Sequence, residues 1–551
     1  MPRIEPSKIA NKIFDYVIIG GGTAGCVLAN RLSSNGRYHV LVLEAGKSTP
    51  DLLEVRIPLF NSKLKNSPAD WQFKSAVQEH ANQRQIGVPL GKLLGGSSAF
   101  NACIAHRCSP SDYDGWNVPE WSYGQLAQYF RKAETFHDTA DVSPTLHGTT
   151  GSFHVSQMNR DNQPIGLHFK QACKKKLGLE EHYDMTDLPC QIGVTGLQAS
   201  IYQGQRVSTG ATYLPLEIQQ ERDNLSIALG CQVNRLVLDE QHRVTHVEFR
   251  DIEQDTVHQV QVGQEAILSA GAILSPVLLL QSGLGPKEEL EEIGIEPLVD
   301  LPGVGKNLQN HWRVPLVHET KTADMSLHQG IFQLQEASLE RALKQHDGPL
   351  TELWPDAVAF MKIPDAPDNS SSQENTPQIE LFAGGLALCR ELPKLKHLNC
   401  ATLLMVYVAP FSRGSVKLDK AKAPLIDFGL LKDERDMECL EKGLKLSMSI
   451  AQDEDYQRHC VKEWLMYPEN EQEIQTYIKD NIDTLHHYAG TCKMGPKEDR
   501  MAVVDHHLKV HGVNGLRVVD ASFFPKVPAG QTCFPVIACA ERAADLILQG
   551  K

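Results

Sequence analysis

The feature that most constrains the fold of this chain is a glycine-rich turn between two short apolar runs near its start. Residues 14–19 read Phe-Asp-Tyr-Val-Ile-Ile and predict a buried strand. The turn at 20–25 fits the spacing G-x-G-x-x-G, and a helical pattern follows at 26–32. A second apolar run at 38–43 ends in Glu44. This order of strand, turn, helix and strand predicts an α/β domain that binds a dinucleotide.

Each part of the motif has a physical role in holding such a ligand. Gly20 permits the tight turn, Gly22 lets the backbone approach a pyrophosphate, and Gly25 lets the helix pack closely on the strand. The helix N-terminus offers free N–H groups and the positive end of its dipole to that anion. Glu44 follows Gly25 by 19 residues, where a carboxylate can accept hydrogen bonds from both ribose hydroxyls. The motif alone does not separate NAD from FAD.

Two later segments point to further contacts with a flat or anionic ligand. Residues 91–101 read Gly-Lys-Leu-Leu-Gly-Gly-Ser-Ser-Ala-Phe-Asn, and so many small residues indicate that the backbone is pressed against such a ligand. Residues 271–285 follow a strand expected at 265–269 and predict a helix that is closed by a glycine cap.

These two segments resemble the two signature patterns of the glucose–methanol–choline (GMC) oxidoreductases. The second segment fits throughout, whereas the first departs at Phe100, where an aliphatic residue is usual. Asn310 stands where the family more often has aspartate. Other landmarks follow in the family's order along nearly the whole chain: Asp70-Trp71, His147-Gly148, residues 302–311, residues 410–414 and residues 519–522.

The resemblance implies an α/β fold with a discontinuous, Rossmann-like FAD-binding domain. The second domain would be an α+β substrate domain with an antiparallel sheet over the flavin. The expected boundaries are 1–155, 215–315 and 481–551 for the FAD-binding domain, and 156–214 and 316–480 for the substrate domain. Apolar runs at 379–383 and 403–408 predict strands of the substrate sheet, and the polar, proline-containing stretch 364–377 predicts a surface loop.

The resemblance also implies which residues contact FAD. Residues 101–104 would run along the flavin ring, Val233 would meet the adenine, and Asp520-Ala521 would face the ribityl–phosphate region. The full set of expected contacts is Gly20, Gly22, Thr23, Ala24, Gly25, Glu44, Ala45, Trp71, Gly95, Ser98, Asn101, Ala102, Cys103, Ile104, Val233, Ala270, Asp520, Ala521, Thr532 and Cys533.

Some family members attach FAD covalently through a histidine of the first signature, where the pattern ends Ser-His-Asn. Here the corresponding residues are Ala99-Phe100-Asn101, so the FAD is expected to be non-covalent. His106 is nearby but displaced, and it is not the expected tether.

Residues 484–495 are similar to the family's catalytic-histidine loop, in which the histidine before x-x-G-T is the active one. That residue is His487, and the ordinary pKa of histidine lies near working pH, as a base for a hydroxyl proton requires. His486 is expected to shape the substrate pocket. The second family position, usually His or Asn, holds Gln531, which keeps an amide donor and acceptor on a longer side chain. The alternative role for Gln531 is to brace its own loop.

The last helix is expected from Phe534, with its N-terminus pointing at the flavin pyrimidine. A positive dipole end there favours anionic reduced flavin. Cys533 at the mouth of this helix is expected to be a small packed side chain rather than a reactive thiol. The thirteen cysteines form no CxxC pairs, so we expect reduced thiols and no metal site.

The function that these features favour is oxidation of a primary alcohol to the aldehyde, with hydride transfer to flavin N5 and His487 as the base. The resemblance is to choline dehydrogenases and alcohol oxidases. The electron acceptor, O2 or another, stays open because family members of both kinds share these motifs. For a trimethylammonium alcohol, Trp354, Trp464 and Glu352 are candidate contacts.

The alternative function is that of a non-redox enzyme on the GMC fold, such as a fatty-acid photodecarboxylase or a hydroxynitrile lyase. Gln531-Thr532 at the second active position resembles the photodecarboxylase branch. A flavoprotein with only a binding role is the third alternative, which the paired base loop and the cofactor motifs disfavour.

Charge and hydropathy restrict the other partners. The formal net charge of -14 argues against nucleic acid or an anionic membrane as a main partner. The sequence has no apolar stretch of about 18 residues, so a transmembrane segment is not expected. The polar start lacks the apolar core of a secretory signal, which favours a cytoplasmic enzyme with a small-molecule alcohol substrate. A homodimer is one option for its assembly.

Overall fold

The computed structural model describes residues 4–138, 145–158, 163–184, 186, 191–328, 336–367, 376–390 and 392–551. In this part of the chain, two large sheets and the helices around them build the fold. Most of the predicted loop 364–377 lies outside the described residues. Its described ends, 364–367 and 376–377, contain no helix or strand.

The first large sheet carries the glycine-rich turn and has seven described strands. Its parallel part runs in the order Leu225–Leu229, Val40–Glu44, Ile13–Ile19, Thr256–Leu268 and Leu516–Val518. Val244–Asp251 and Cys231–Leu238 continue from Thr256–Leu268 as antiparallel strands. The central strands are apolar without alternation, which is typical of a parallel sheet covered on both faces.

The second large sheet has eight described strands and is mainly antiparallel. Its order is Val461–Met466, Trp312–Thr320, Cys400–Tyr407, Ile379–Gly384, Ala357–Met361, Gly193–Thr195 and Glu181–His182, with Asp483–Thr484 also paired to Trp312–Thr320. The strands predicted at 379–383 and 403–408 are therefore confirmed.

The longer helices cover the parallel sheet and the outer face of the antiparallel one. They are Thr23–Ser33, Tyr123–Ala133, Pro164–Leu177, Gly271–Gln281, Glu434–Ala451, Ile474–Asn481 and Cys533–Leu548. The first and last of these helices pack together, and the Arg31 guanidinium donates to both oxygens of the buried Glu541 at 2.8 and 2.7 Å. This contact fixes the C-terminal helix beside the glycine-rich turn.

Shorter elements connect these layers. The shorter helices are Pro6–Ile9, Leu53–Arg56, Asn61–Leu64, Pro110–Asp114, Thr209–Thr212, Leu216–Glu221, Lys287–Glu292, Glu336–Glu340, Leu392–Leu395 and Glu454–Cys460. The remaining strands are Phe73–Lys74, Gly87–Val88, Glu134–His137, Phe153–Met158, Leu197–Ala199, Ile201–Tyr202, Gln205–Arg206, Leu284–Gly285, Val299–Asp300, Ser415–Leu418 and Pro424–Asp427.

The predicted architecture is confirmed: a parallel, Rossmann-like sheet comes from separate stretches of the chain, and an antiparallel sheet comes from the residues between them. The domain boundaries themselves stay predictions. The strand Trp312–Thr320 begins before the predicted boundary at 316, and Asp483–Thr484 joins the same sheet from beyond the boundary at 480. Within the described residues, no helix has the length and apolarity needed to span a membrane.

Candidate active site

A cavity of about 1060 Å³ connects the glycine-rich turn to the predicted histidine loop. Its wall contains most of the residues expected to meet a cofactor or substrate: Gly20, Gly22, Thr23, Ala24, Glu44, Ala45, Trp71, Ser98, Asn101, Ala102, Ile104, Val233, Ala270, His486, His487, Asp520, Ala521, Gln531, Thr532 and Cys533. Gly25, Gly95 and Cys103 are not part of this wall. The structure thus brings residues from both ends of the chain to one space.

The φ angles and the space around the glycines of the turn show why these positions need glycine. Gly20 has a φ of +101°, and a Cβ there would lie 2.6 Å from the Ser269 carbonyl oxygen. A Cβ on Gly25 would lie 2.0 Å from the Gly20 carbonyl oxygen, so Gly25 serves helix packing from outside the cavity wall. Gly95 also acts from behind the wall, where its N–H donates to the Gly21 carbonyl at 2.7 Å.

Glu44 lies at the end of its strand, buried against the turn. Its two carboxylate oxygens accept the N–H groups of Gly21 and Gly46 at 2.8 and 2.7 Å. Burial raises the pKa of Glu44 to about 7, against the opposing effect of these two hydrogen bonds. Each carboxylate oxygen keeps a second lone pair, so Glu44 can still accept the predicted hydrogen bonds from ribose hydroxyls.

Arg206 holds the segment that follows the first signature. Its guanidinium donates to the carbonyl oxygen and the side-chain oxygen of Asn101 at 2.6 and 2.8 Å, and to the carbonyl oxygens of Val55 and Pro58. Asn101 Oδ1 also accepts the N–H of Cys103, which has a φ of +62°. Sequence reasoning missed Arg206, because nothing in the sequence around it indicates that it binds a segment 105 residues away.

The C-terminal segment closes the cavity next to the second signature. Asp520 accepts the Gly271 N–H at 2.9 Å and the Ser275 hydroxyl at 2.5 Å, so it ties the chain end to the helix Gly271–Gln281. Cys533 is the first residue of the last helix and lines the cavity. Burial raises the pKa of its thiol to about 12, which agrees with a packed, protonated side chain.

His487 is held from two sides and presents one ring nitrogen to the cavity. Its Nδ1 lies 2.8 Å from Nδ1 of His311, a fully buried residue that precedes the strand Trp312–Thr320. Its backbone N–H donates to Asn310 Oδ1 at 2.9 Å, while the Asn310 amide donates to the Thr484 hydroxyl at 2.8 Å. An aspartate at 310 could not make that second donation. With Nδ1 engaged, Nε2 is the nitrogen left for a ligand.

His486 has a φ of +67°, and its side chain diverges from that of His487. Its Nδ1 lies 3.1 Å from the Tyr488 hydroxyl oxygen. Burial, with nearby Lys65 and Arg313, lowers the pKa of His486 well below its ordinary value. His486 is therefore a neutral part of the cavity wall.

Gln531 lines the cavity and contacts a buried carboxyl group behind the cavity wall. Its Nε2 donates to Glu380 Oε2 at 3.1 Å, and the Glu380 side chain is fully buried in the strand Ile379–Gly384. The preceding residue, Gly530, leaves no room for a side chain, since a Cβ would lie 2.2 Å from His106 Nδ1. His106 packs on Phe360 with ring centroids 5.0 Å apart, behind the loop rather than in the cavity wall.

The rest of the cavity wall has a set of apolar side chains and three cationic side chains, which we name the cationic rim. The apolar side chains are Leu59, Leu353, Trp354, Phe382, Leu386, Leu388, Leu404 and Leu485. Lys65, Arg313 and Arg390 also line it, and Arg313 is paired with Asp483 at 3.1 Å. Of the candidate contacts for a trimethylammonium group, Glu352 and Trp354 line the cavity. Trp464 instead packs on His318.

Two residues next to the predicted pair escaped sequence reasoning. His311 closes one of the family landmarks, and Glu380 is the one carboxylate within the apolar run 379–383. A carboxylate in an otherwise apolar strand is a signal that could have been used, because burying it requires a partner. The partner itself is set by pairing across the fold.

The fold and this cavity define a dinucleotide-binding α/β protein. The chain belongs to the GMC oxidoreductase family, whose N-terminal model matches residues 14–313 and whose C-terminal model matches residues 410–540. FAD is the cofactor of this family.

Two curated relatives show the range of activity within the family. The chain is 33% identical to the chloroplastic fatty acid photodecarboxylase of Chlamydomonas reinhardtii, over 99% of this chain and 92% of the relative. It is also 33% identical to an alcohol dehydrogenase [acceptor] of Pseudomonas putida, over 98% of this chain and 96% of the relative. The pyridoxine 4-oxidase structure from Mesorbium loti superposes with a TM-score of 0.84, 28% identity and coverage of 97% and 99%.

The residues present fit FAD. The cavity is at the upper end of the roughly 300–1,000 Å³ of typical small-ligand pockets, as an extended dinucleotide requires. The helix Thr23–Ser33 directs its N-terminus at the cavity, and a Cβ on Gly96 would lie 2.7 Å from the Gly22 Cα, so the close approach of these two backbone segments requires glycine. The histidine loop and Gln531 also line this cavity.

Proposed function

We propose that this GMC oxidoreductase oxidises a primary alcohol to the aldehyde, with His487 as the base for the hydroxyl proton and Gln531 as a hydrogen-bond partner of the substrate oxygen. When bound, FAD supplies the acceptor for the two electrons and the hydrogen that leave the carbinol carbon. The observation that carries the proposal is the contact of His487 Nδ1 with His311 Nδ1, which leaves Nε2 for a substrate in a cavity that Gln531 also lines.

The protonation states of His487 and His311 support this role. Burial lowers the pKa of His487 to about 3 and that of His311 well below its ordinary value, so both rings are neutral near pH 7. A neutral imidazole has one N–H. When His487 carries it on Nδ1 and donates it to His311, Nε2 has a free lone pair for the substrate proton. Negative charge that develops on the alcohol oxygen raises the pKa of the adjacent imidazole and favours the transfer.

Phe100 supports non-covalent cofactor binding. Its ring lines the cavity at the position where some relatives have a tethering histidine, and a phenyl ring has no atom that can form such a bond. The nearby His106 is buried behind the loop of Gly530. The contacts of the cofactor with the residues of the cavity wall named above are part of this proposal.

The wall of the cavity favours an apolar alcohol. Leucine, tryptophan and phenylalanine side chains line the same cavity as His487. The cationic side chains of Lys65, Arg313 and Arg390 offset the carboxylates of Glu352 and Asp483 in this wall, so it offers no net negative charge to a quaternary ammonium substrate. We expect alkyl or aryl alcohols to react faster than choline.

The experiment is anaerobic mixing of the FAD-loaded protein with a panel of alkyl, aryl and amino alcohols in the dark. Loss of the oxidised flavin absorbance with an apolar alcohol, and formation of the aldehyde in equal amount, supports the proposal. An oxidised flavin that persists with every alcohol contradicts it.

A second candidate is light-dependent decarboxylation of a fatty acid. The cationic rim with Lys65, Arg313 and Arg390 suits a carboxylate, the wall suits an alkyl chain, and the algal relative carries this activity in its name. In this reaction the carboxylate loses CO2, and the alkyl chain takes up a proton in its place. Blue light with a fatty acid, compared with darkness, separates the two candidates: CO2 release that depends on light favours decarboxylation.

A further inference from the structure

Glu380 has an incomplete set of hydrogen bonds in the middle of the substrate sheet. The side chain is fully buried, and its Oε2 accepts the Gln531 Nε2 donation at 3.1 Å. Its Oε1 has no hydrogen-bond partner among the described residues. A buried carboxylate with one neutral partner is costly, whereas a protonated carboxyl group at the same place is not.

The orientation of the Gln531 amide decides what the substrate meets. With Nε2 on Glu380, the amide oxygen is the group left for the cavity. An alcohol has one proton to give, and His487 Nε2 already accepts it. A second acceptor opposite the alcohol oxygen would therefore be unmatched, and it would repel the charge that develops there.

The opposite amide orientation removes this conflict. The oxygen and the nitrogen of an amide have nearly the same shape, so a half-turn places the Gln531 NH2 group toward the cavity without new contacts. Its oxygen then faces Glu380 Oε2 and needs a donor there. Glu380 provides that donor only when it is protonated.

We propose that Glu380 is a positioning residue that acts in its protonated form, donating to the Gln531 amide oxygen so that the Gln531 amide N–H group donates to the substrate oxygen. The inference rests on the proposed alcohol oxidation. It adds a reason for Gln531 in place of the family's His or Asn: the longer amide spans the gap between a buried acid and the substrate.

The surroundings of Glu380 favour the neutral acid. Burial raises its pKa to about 8, and the nearby Asp112 carboxyl raises it in the same direction. The Cys108 thiol also interacts with Glu380, and burial raises the pKa of this thiol. The thiol is neutral near pH 7, so neither Cys108 nor Asp112 is a cation that would stabilise a carboxylate.

The proposal predicts that the rate constant of flavin reduction falls at alkaline pH. This fall is the alkaline limb of the pH profile. Below about pH 8 Glu380 is protonated and the Gln531 amide N–H group faces the substrate. Above about pH 8 Glu380 is a carboxylate and accepts that N–H group, so the Gln531 amide oxygen faces the alkoxide. We expect the rate constant of flavin reduction to fall about tenfold or more across this range, as for loss of a hydrogen bond to a charged group.

The test is the pH profile of anaerobic flavin reduction for the wild type, E380Q, E380L and D112N, each loaded with FAD. E380Q can donate to Gln531 at every pH, so the alkaline limb should vanish while the rate at pH 7 stays within about threefold of the wild type. E380L should be slower by about 10- to 100-fold at pH 7. D112N removes the carboxyl that raises the pKa of Glu380, so it should keep the limb but move it to lower pH.

A direct readout accompanies the kinetics. The infrared difference spectrum of wild type minus E380Q should contain a protonated carboxyl band at pH 7 that is largely lost by pH 9. An alkaline limb of wild-type size in E380Q, or a difference spectrum without that band at pH 7, overturns the inference. Failure of every alcohol to reduce the flavin would instead remove the proposed function, so the two failures are distinguishable.

Discussion

Removing the partner of His487 should slow the reaction without releasing the cofactor. In His311→Leu, the Nδ1 contact at 2.8 Å is lost, and the fully buried site receives an apolar side chain of similar size. A neutral hydrogen bond is worth about 0.5–1.5 kcal/mol, which corresponds to a factor of about 2 to 13 in rate. The imidazole is then also free to carry its proton on Nε2, where it cannot act as a base. We therefore expect flavin reduction to be slower by about 10- to 100-fold.

The conservative variant separates this role from simple packing. In His311→Asn, the amide can accept a hydrogen bond near the former Nδ1 position, so the rate should return to within about fivefold of the wild type. The assay is anaerobic stopped-flow reduction with an alcohol from the reactive panel, and FAD content and thermal stability are measured on the same samples. Equal rates for the Leu variant and the wild type, at normal FAD content, would refute the reasoning about the proton on Nδ1.

Four further results are expected. Glu44→Ala should lose FAD on dialysis, because the carboxylate organises the turn and faces the cavity; full occupancy afterwards removes it from the site. Acid denaturation should release all FAD into the filtrate, since Phe100 cannot form a tether. Gly530→Ala should lower the unfolding free energy by about 1–3 kcal/mol in a denaturant titration, because its Cβ would meet His106 at 2.2 Å. His486→Ala should slow flavin reduction much less than His487→Ala. The reverse order would assign the role of the base to His486.

The cofactor end of the cavity could be predicted from sequence because its signals are local. The spacing of Gly20, Gly22 and Gly25 indicates a backbone that side chains would obstruct, and the Cβ positions show that obstruction at Gly20 and Gly25. The helix that ends before Gly283, with its φ of +78°, follows from the same kind of signal. Such features need only a few neighbouring residues to be recognised.

The hydrogen-bond partners of His487 and Gln531 could not be predicted, because they are distant in sequence. His311 is 176 residues from His487, and Glu380 is 151 residues from Gln531. The pairing of the antiparallel sheet places both next to residues that line the cavity, and no local pattern encodes that pairing. The cationic rim with Lys65 and Arg390 likewise could not be predicted, because residues that are distant in sequence meet at one cavity.

The most direct test of the account is anaerobic flavin reduction in the dark by wild type and His487→Ala with the same apolar alcohol. We expect the wild type to be reduced, and the variant to be slower by about two to four orders of magnitude with its FAD retained, as for loss of a general base. A variant that is reduced as fast as the wild type would contradict the assignment of His487 as the base.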